Sequence, residues 1–230
     1  MGNIVLVHGA WGGGWCWDAM TPDLRDQGHE VRTPDLHRGT LDADTAAVQD
    51  VVDELGGPAV VAGWSYGGQV ITGLRLPEGS RLVYIGALMP DDGETAMGTL
   101  QAAPPTGLAA VMQFSEDGAI CTLDPDDPGV GEALWADAAT DLAAAAAQRL
   151  CPQATAPLGA APGRVAWKDT PSTYVVCTQD NAVHPDLQRR LATTRATETL
   201  EWDCSHAPML SRPAELVAVL GELASSLPAS

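Results

Sequence analysis

The chain alternates short, continuous apolar runs with segments whose apolar residues recur at helical spacing. Uninterrupted runs of this kind are typical of strands buried on both faces of a parallel sheet. A helix is indicated after the second run, because apolar residues between Val48 and Leu55 fall at positions i, i+3, i+4 and i+7. Strands that alternate with helices predict parallel βαβ units. The predicted strands are residues 3–7, 30–33, 58–62, 82–85, 174–177 and, with a more alternating pattern, 197–202.

Polar and small residues indicate where the predicted helices begin. The first helix is expected over residues 16–26. Asp42 or Asp44 is expected to be the N-cap residue of the second helix, and Ser211 that of the last, with Pro213 in its first turn. The buried stripe of this last helix is predicted to be Leu216, Val219, Leu220 and Leu223.

The alternation breaks off between the fourth and fifth apolar runs. Residues 91–171 are dominated by glycine, proline and alanine, and within them the alanine-rich residues 132–150 are expected to be helical. A segment of this length between regular strands is more often an inserted lid than a structureless loop. We therefore predict a core of residues 1–90 and 172–230 with a small helical cap, the lid segment of residues 91–171. The predicted fold class is α/β, with about six mostly parallel strands flanked by helices.

Charge narrows the range of partners. The net charge is −18, from 30 acidic and 12 basic residues. Phosphate backbones and anionic lipid surfaces would be repelled, so we expect neither nucleic acid nor a membrane as a partner. No apolar run approaches the ~20 residues that span a bilayer, and we expect a cytoplasmic protein. The acidity is typical of a solvated surface, with a cationic substrate as the alternative.

No pattern for a metal or an organic cofactor is present in the sequence. The five cysteines are dispersed without C-x-x-C spacing, which is typical of reduced, mostly buried thiols and not of a disulfide framework or a zinc site. The glycines Gly12-Gly13-Gly14 lack the spacing of a dinucleotide fingerprint. We expect neither a cofactor nor a metal.

A G-x-S-x-G motif, Gly63-Trp64-Ser65-Tyr66-Gly67, lies between the third predicted strand and a predicted helix. In that context the serine is held on a sharp strand-to-helix turn that exposes its hydroxyl, and the two glycines leave room for the flanking segments to pass closely. The following helix N-terminus favours an anionic intermediate. Ser65 is therefore the candidate nucleophile.

A neutral serine needs a base to take its proton and a carboxylate to orient that base. Asp180 and His206 each follow a predicted parallel strand. The carboxyl ends of parallel strands lie along one edge of a sheet, so Ser65, Asp180 and His206 can converge although they are far apart in sequence. The alternatives are His8, His29, His37 or His184 as the base and Asp91 or Asp92 as the acid, whereas Asp203 lies too near His206 in sequence to orient it easily.

Acyl transfer also needs donors for the developing oxyanion. The backbone N–H groups of Tyr66 and of Ala10, in the turn His8-Gly9-Ala10, are the candidates. We expect His8 to be a buried residue that shapes this turn, with a second base as the alternative. Five tryptophans are candidates for an apolar pocket under the lid, although core packing is the usual role of any one of them: Trp11, Trp15, Trp17, Trp135 and Trp167.

Together these residues resemble the α/β-hydrolase superfamily over nearly the whole chain outside the lid. Three stretches are similar to the plant methylesterase and hydroxynitrile lyase branch and its bacterial relatives: residues 5–10 with Trp15-Cys16-Trp17, Thr178-Gln179-Asp180, and residues 185–190. The resemblance implies a triad of Ser65, Asp180 and His206, an oxyanion hole from Ala10 and Tyr66, and a small helical cap. Dimers are common in that branch, so a homodimer stays open.

The same resemblance separates two chemistries. The lyases carry a lysine directly after the catalytic histidine and a threonine in the oxyanion-side turn, where this chain has Ala207 and Gly9. Both departures favour a serine carboxylesterase that acts on a small hydrophobic or aromatic ester. The alternatives are a lyase or cyclase that uses the triad without an acyl-enzyme, and a ligand receptor on a retired hydrolase scaffold.

Overall fold

A computed structural model describes residues 1–228 of the 230-residue chain. The strands are β1 Asn3–Val7, β2 Glu30–Arg32, β3 Ala59–Trp64, β4 Arg81–Ile85, β5 Met112–Phe114, β6 Ile120–Leu123, β7 Gln153–Ala154, β8 Ser172–Cys177 and β9 Glu198–Trp202. The α-helices are α1 Thr21–Asp26, α2 Leu41–Leu55, α3 Tyr66–Thr72, α4 Ala96–Gln101, α5 Gly107–Val111, α6 Pro128–Leu134, α7 Thr140–Ala147, α8 Pro185–Arg195, α9 Pro208–Ser211 and α10 Pro213–Ser225. Short 3-10 helices cover Gly14–Trp17, Ala156–Gly159 and Ala166–Lys168.

Six parallel strands form the central sheet in the order β2-β1-β3-β4-β8-β9, which confirms the predicted fold class. The four inner strands β1, β3, β4 and β8 are almost completely buried, as their apolar runs require. The chain passes from β1 outward to β2 and then back across β1 to β3, so the strand order reverses beside β1. Ligands bind at such a reversal, outside the carboxyl ends of the strands.

Two predicted helix starts in the first quarter of the chain are wrong. Residues 16–26 are not one helix, because the chain forms a 3-10 turn at Gly14–Trp17 and α1 begins only at Thr21, with a proline in its first turn. The N-cap residue of α2 is Thr40, whose hydroxyl accepts the N–H of Ala43 at 3.2 Å, and not Asp42 or Asp44.

The end of the chain differs in the same way. Ser211 does not cap the last helix, because it is the last residue of the short α9, and the N-cap residue of α10 is Arg212, whose side chain makes no capping hydrogen bond. The buried face of α10 is Leu216, Val217, Leu220 and Ala224, so the predicted Val219 and Leu223 lie beside it, only partly buried.

The lid segment contains a small antiparallel sheet, β5-β6-β7, besides its helices. The sequence did not predict this sheet, since its strands have two to four residues and no clear alternation. The predicted helix over 132–150 is interrupted: α6 ends at Leu134 and α7 begins at Thr140. Trp135, with φ −152° and ψ 44°, leaves the helical region and is buried. The boundaries of the lid at 91 and 171 stay a prediction.

Within residues 1–228, no helix combines the length and the apolar composition that crossing a bilayer requires.

Candidate active site

Ser65 occupies a strained turn between β3 and α3. Its φ of 54° and ψ of −121° lie in a region that residues other than glycine rarely adopt. Backbone hydrogen bonds hold this conformation: Ser65 N–H donates to the carbonyl of Ile85 at 3.2 Å, and its own carbonyl accepts from Gly68 and Leu88 at 3.0 and 3.1 Å. The turn therefore presents the hydroxyl beyond the end of β3.

The two motif glycines are required by close backbone contacts. A Cβ atom on Gly63 would lie 2.6 Å from the carbonyl oxygen of Gly67. A Cβ on Gly67 would lie 2.5 Å from the carbonyl oxygen of Val7 and 2.6 Å from that of His8. These atoms belong to the backbone and cannot move aside as a side chain does, so α3 packs against the end of β1 only because both residues lack a side chain.

Asp180 and His206 form a buried pair at the same edge of the sheet. Asp180 follows β8, His206 follows β9, and Nδ1 of His206 lies 2.7 Å from Oδ2 of Asp180. The His206 side chain is 1% exposed and that of Asp180 0%. The other carboxylate oxygen, Oδ1, accepts the backbone N–H groups of Ala182 and Val183 at 2.7 and 2.8 Å. An acceptor fixed in this way holds the imidazole with its Nδ1 proton directed at Asp180.

Gln188 completes this carboxylate site and was not predicted from the sequence. Its amide nitrogen donates to Oδ2 of Asp180 and to the carbonyl of Val183, both at 2.7 Å. Its amide oxygen accepts the N–H of Cys177 at 2.8 Å. The available signal was its spacing, because Gln188 lies eight residues after Asp180, in α8, and its amide reaches back to that carboxylate.

Trp64 links the serine turn to His206, and Gly86 leaves room for the Asp180–His206 pair. The indole N–H of Trp64, the residue before Ser65, donates to the carbonyl of His206 at 2.7 Å. The centroids of the Trp64 and His206 rings are 5.2 Å apart. Gly86 has φ +49°, and a Cβ there would lie 3.1 Å from Oδ2 of Asp180 and 3.4 Å from Nδ1 of His206. Within residues 1–228, Ser65 makes no hydrogen bond with His206, and such bonds often form only with substrate bound.

His8 shapes the turn after β1. Its Nε2 accepts the N–H of Leu36 at 3.0 Å, so the proton of the neutral ring is on Nδ1, which donates to the carbonyl of Gly9 at 2.8 Å. Burial lowers the pKa of His8 from 6.5 to about 4. Both ring nitrogens are thus occupied in shaping the turn, and neither is placed to act as a second base.

The candidate oxyanion donors, Ala10 and Tyr66, belong to the turn after β1 and to the start of α3, which meet near Ser65. Ala10 makes no hydrogen bond through its N–H within the described chain, and Tyr66, as the first residue of α3, has no preceding helical turn to accept its own. Both residues line the same cavity as Ser65. Gly9 brings the first turn close, because a Cβ there would lie 2.9 Å from Cβ of Ser65.

A buried carboxylate fixes the side chain of Tyr66. The Tyr66 hydroxyl donates to Oδ2 of Asp44 at 2.7 Å, and the other oxygen of Asp44 accepts the N–H of Arg38 at 2.8 Å. Burial, together with the neighbouring carboxylate, raises the pKa of Tyr66 well above its ordinary value. Asp44, expected as a helix cap, therefore anchors the residue that follows Ser65.

A cavity of about 300 Å³ opens above Ser65 between the core and the lid segment. From the core it is lined by Ala10, Ser65 and Tyr66, and from the lid mainly by apolar side chains such as Leu108, Met112 and Leu158. Of the five predicted tryptophans, Trp11 lines this cavity. Trp17 and Trp135 are buried in the core, and Trp15 and Trp167 are partly buried against it.

The alternative acids lie elsewhere. Asp91 pairs with Lys168, Asp92 is exposed, and Asp203 accepts from Thr178 and Gln179. Among residues 1–228, no three histidine, cysteine, aspartate or glutamate side chains cluster as a metal site requires.

Comparison with known proteins relates this geometry to ester hydrolases. The carbendazim hydrolyzing esterase of Nocardioides sp. (strain SG-4G) is 36% identical over 126 residues, which are 48% of this chain and 52% of the esterase, so the match spans about half of that relative. Methyl jasmonate esterase 1 of Vitis vinifera is 26% identical over 261 residues and 97% of each chain. The crystal structure of a pyrethroid hydrolase from Sphingobium faniae JZ-2 has a TM-score of 0.81 at 21% identity, covering 98% of both chains.

These relatives confirm the resemblance to plant methylesterases and bacterial esterases that the sequence motifs predict. The crystal structure, at 21% identity, supports the fold alone. A model of the alpha/beta hydrolase family matches residues 4–219, which leaves only the ends of the chain outside it. The chain therefore belongs to the α/β-hydrolase family.

Proposed function

We propose that this chain is a serine-dependent carboxylic ester hydrolase that acts on a small hydrophobic or aromatic ester through an acyl-enzyme. The observation that carries the proposal is the buried Asp180–His206 hydrogen bond beside the strained Ser65 turn. A turn of this geometry and an oriented imidazole are what an activated serine needs.

In the proposed mechanism, His206 takes the proton of the Ser65 hydroxyl as Oγ attacks the ester carbonyl carbon. The N–H groups of Ala10 and Tyr66 donate to the oxyanion of the tetrahedral intermediate. The intermediate collapses as the bond to the alcohol oxygen breaks, and His206 protonates that oxygen. Water, deprotonated by His206, then attacks the acyl-enzyme and releases the acid. Asp180 keeps the imidazole in place and stabilises its positive charge.

The cavity supports an apolar acyl group. Its lid side is mostly leucine, methionine, alanine and proline, and its volume of about 300 Å³ suits a small substrate. Such a lining gains free energy from hydrocarbon and offers little to a charged group.

The geometry at Gly9 argues against the lyase alternative. A Cβ there would lie 2.9 Å from Cβ of Ser65 and 3.1 Å from Cε3 of Trp64, so a threonine would not fit without movement of the turn. Ala207, directly after His206, is 1% exposed and carries no cationic group. The two groups associated with cyanohydrin chemistry therefore have no counterpart at these positions.

The test is hydrolysis of an ester panel by wild type, Ser65→Ala and Ser225→Ala. The panel holds methyl, short-chain aryl and aromatic esters, mandelonitrile, and the three compounds named for the relatives: carbendazim, a pyrethroid and methyl jasmonate. We expect ester turnover that falls by at least about a thousandfold in Ser65→Ala. Ser225, the exposed last residue of α10, is the matched control and its variant is expected to keep wild-type turnover.

Three results would contradict the proposal. Near-wild-type turnover by Ser65→Ala would exclude Ser65 as the nucleophile. Labelling of Ser65 by a covalent serine probe without turnover of any ester would indicate a triad that serves a lyase or cyclase reaction. Stabilisation by a ligand without any product, and without labelling, would favour a receptor.

A further inference from the structure

One histidine lies in the mostly apolar cavity and belongs to neither the Asp180 pair nor the oxyanion turn. His184 lines the cavity together with Ser65 and the lid side chains. The hydroxyls of two other lining residues already have partners, because Tyr66 donates to Asp44 and Thr106 to the carbonyl of Ala182.

The orientation of the His184 ring is set by the helix it precedes. His184 is the N-cap residue of α8, and its Nδ1 accepts the N–H of Asp186 at 3.2 Å. A neutral imidazole that accepts at Nδ1 carries its proton on Nε2. The N–H donor of the ring is therefore Nε2, which the cap of α8 does not use.

The segment that carries His184 is held firmly. The N–H groups of Ala182 and Val183, the two residues before it, bind Oδ1 of Asp180. Asn181 in the same segment is tied to the lid, because its side-chain oxygen accepts the N–H of Gly107 at 2.7 Å. A donor on such a segment is in position before a ligand arrives, which reduces the entropy lost on binding.

The Nε2 atom of His184 makes no hydrogen bond within residues 1–228. The His184 side chain is 27% exposed, so a hydrocarbon that fills the cavity would displace water from part of its surface and offer Nε2 no partner in return. A ligand with an oxygen at that point would pair with it. Sites that offer a polar group in this way discriminate against analogues that lack the partner.

We propose that His184 donates a hydrogen bond from Nε2 to an uncharged oxygen acceptor, such as a ketone, on an otherwise apolar acyl group. The preferred substrates are therefore esters of oxo-acids over hydrocarbon acids of the same length. This inference rests on the proposed ester hydrolysis at Ser65 and assigns His184 to substrate recognition.

The experiment compares methyl octanoate with methyl oxo-octanoates that carry the ketone at successive carbons, all at one fixed pH. We expect one oxo-ester to exceed the parent ester in kcat/KM by about 3- to 10-fold, the worth of one neutral hydrogen bond. His184→Thr, which can still cap α8, is expected to abolish that preference.

Gln101→Leu is the matched control. Gln101 also lines the cavity, at the exposed end of α4, and is the other amide or imidazole donor there. The oxo preference is expected to survive in Gln101→Leu. Its loss there instead of in His184→Thr would overturn the assignment, and so would the absence of any preference in wild type.

Binding measurements separate this inference from the proposed reaction. Titration calorimetry of the same ester pair with Ser65→Ala, and with the double variant Ser65→Ala/His184→Thr, needs no turnover. Tighter binding of one oxo-ester to the single variant, lost in the double variant, supports His184 even if no ester is hydrolysed. Equal affinity of both variants for the two esters would refute it even if hydrolysis is confirmed.

Discussion

The amide of Gln188 does more than fill space under the Asp180 carboxylate. It is fully buried and joins three groups, Oδ2 of Asp180, the carbonyl of Val183 and the N–H of Cys177. In Gln188→Leu, two backbone groups lose their partners and the carboxylate loses a donor. We expect the free energy of unfolding to fall by about 2–5 kcal/mol and kcat to fall about tenfold, measured by urea denaturation and ester turnover.

Gln179→Leu is the control for this prediction. Gln179 is exposed and its amide reaches Asp203, outside the carboxylate site, so its replacement should change stability by no more than about 0.5 kcal/mol. Equal effects of the two substitutions would show that the buried network is not what matters at Gln188.

Among single residues, the candidate site residues that follow strands could be predicted from the sequence. The supporting residues that reach the site from neighbouring helices could not. Asp180 and His206 could be placed because strand ends share one edge of a parallel sheet. Gln188 and Asp44 could not, since their roles depend on how α8 and α2 pack beside the turns that carry Asp180 and Tyr66. The sequence predicts Asp42 or Asp44 as a helix cap, because an aspartate near a helix start usually is one.

Among the elements, the linker between α6 and α7 contacts the loop of residues 203–207, which follows β9 and carries His206. Asp137 in this linker accepts the N–H of Ser205 at 3.0 Å and also the Ser205 hydroxyl, directly before His206. In Asp137→Ala the loop loses both bonds. We expect kcat to fall about fivefold to tenfold, with a smaller change in KM, because the base is less well positioned.

The control for the linker is Asp141→Ala, which removes an exposed carboxylate from the first turn of α7. The rate of Ser65 labelling by a fluorophosphonate gives a second readout that does not depend on the ester. Unchanged kcat and labelling rate in Asp137→Ala would mean that the linker only covers the site.

Element prediction succeeded for the sheet and failed within the lid. Buried parallel strands are readable as continuous apolar runs. The lid sheet has no such signal, because β7 has two residues and the exposed Phe114 and Ile120 lie on β5 and β6. The break between α6 and α7 at Trp135 could not be predicted, because the surrounding alanine residues favour a continuous helix by propensity alone.

For the whole molecule, ion pairs on the surface contribute little to the free energy of unfolding. The ion pairs Arg32–Glu30, Arg149–Asp18 and Arg164–Asp169 are all largely exposed, and such pairs are worth roughly 0–1 kcal/mol each. Below neutral pH, stability is expected to depend more on buried groups that resist protonation. His8 is the clearest of these, since burial lowers its pKa from 6.5 to about 4.

The sign of the pH dependence follows from that pKa. Between pH 6.5 and about 4 the unfolded chain binds a proton at His8 and the folded chain does not, so the stability is present above pH 6.5 and is lost as the pH falls. A shift of this size corresponds to about 3 kcal/mol. His29, whose pKa is also lowered by burial, acts with the same sign, whereas His37, whose pKa is raised by its contact with Cys151, acts with the opposite sign.

Replacement of His8 isolates its part of this dependence. His8→Asn and His8→Gln cannot titrate, so the free energy of unfolding of both variants should fall less steeply with acid, by up to about 1.4 kcal/mol per pH unit, although both are less stable than wild type at neutral pH. Urea denaturation from pH 7 to 4 measures the slopes. Slopes equal to that of wild type would mean that His8 is protonated in the folded chain, and its Nε2 could then not accept the N–H of Leu36.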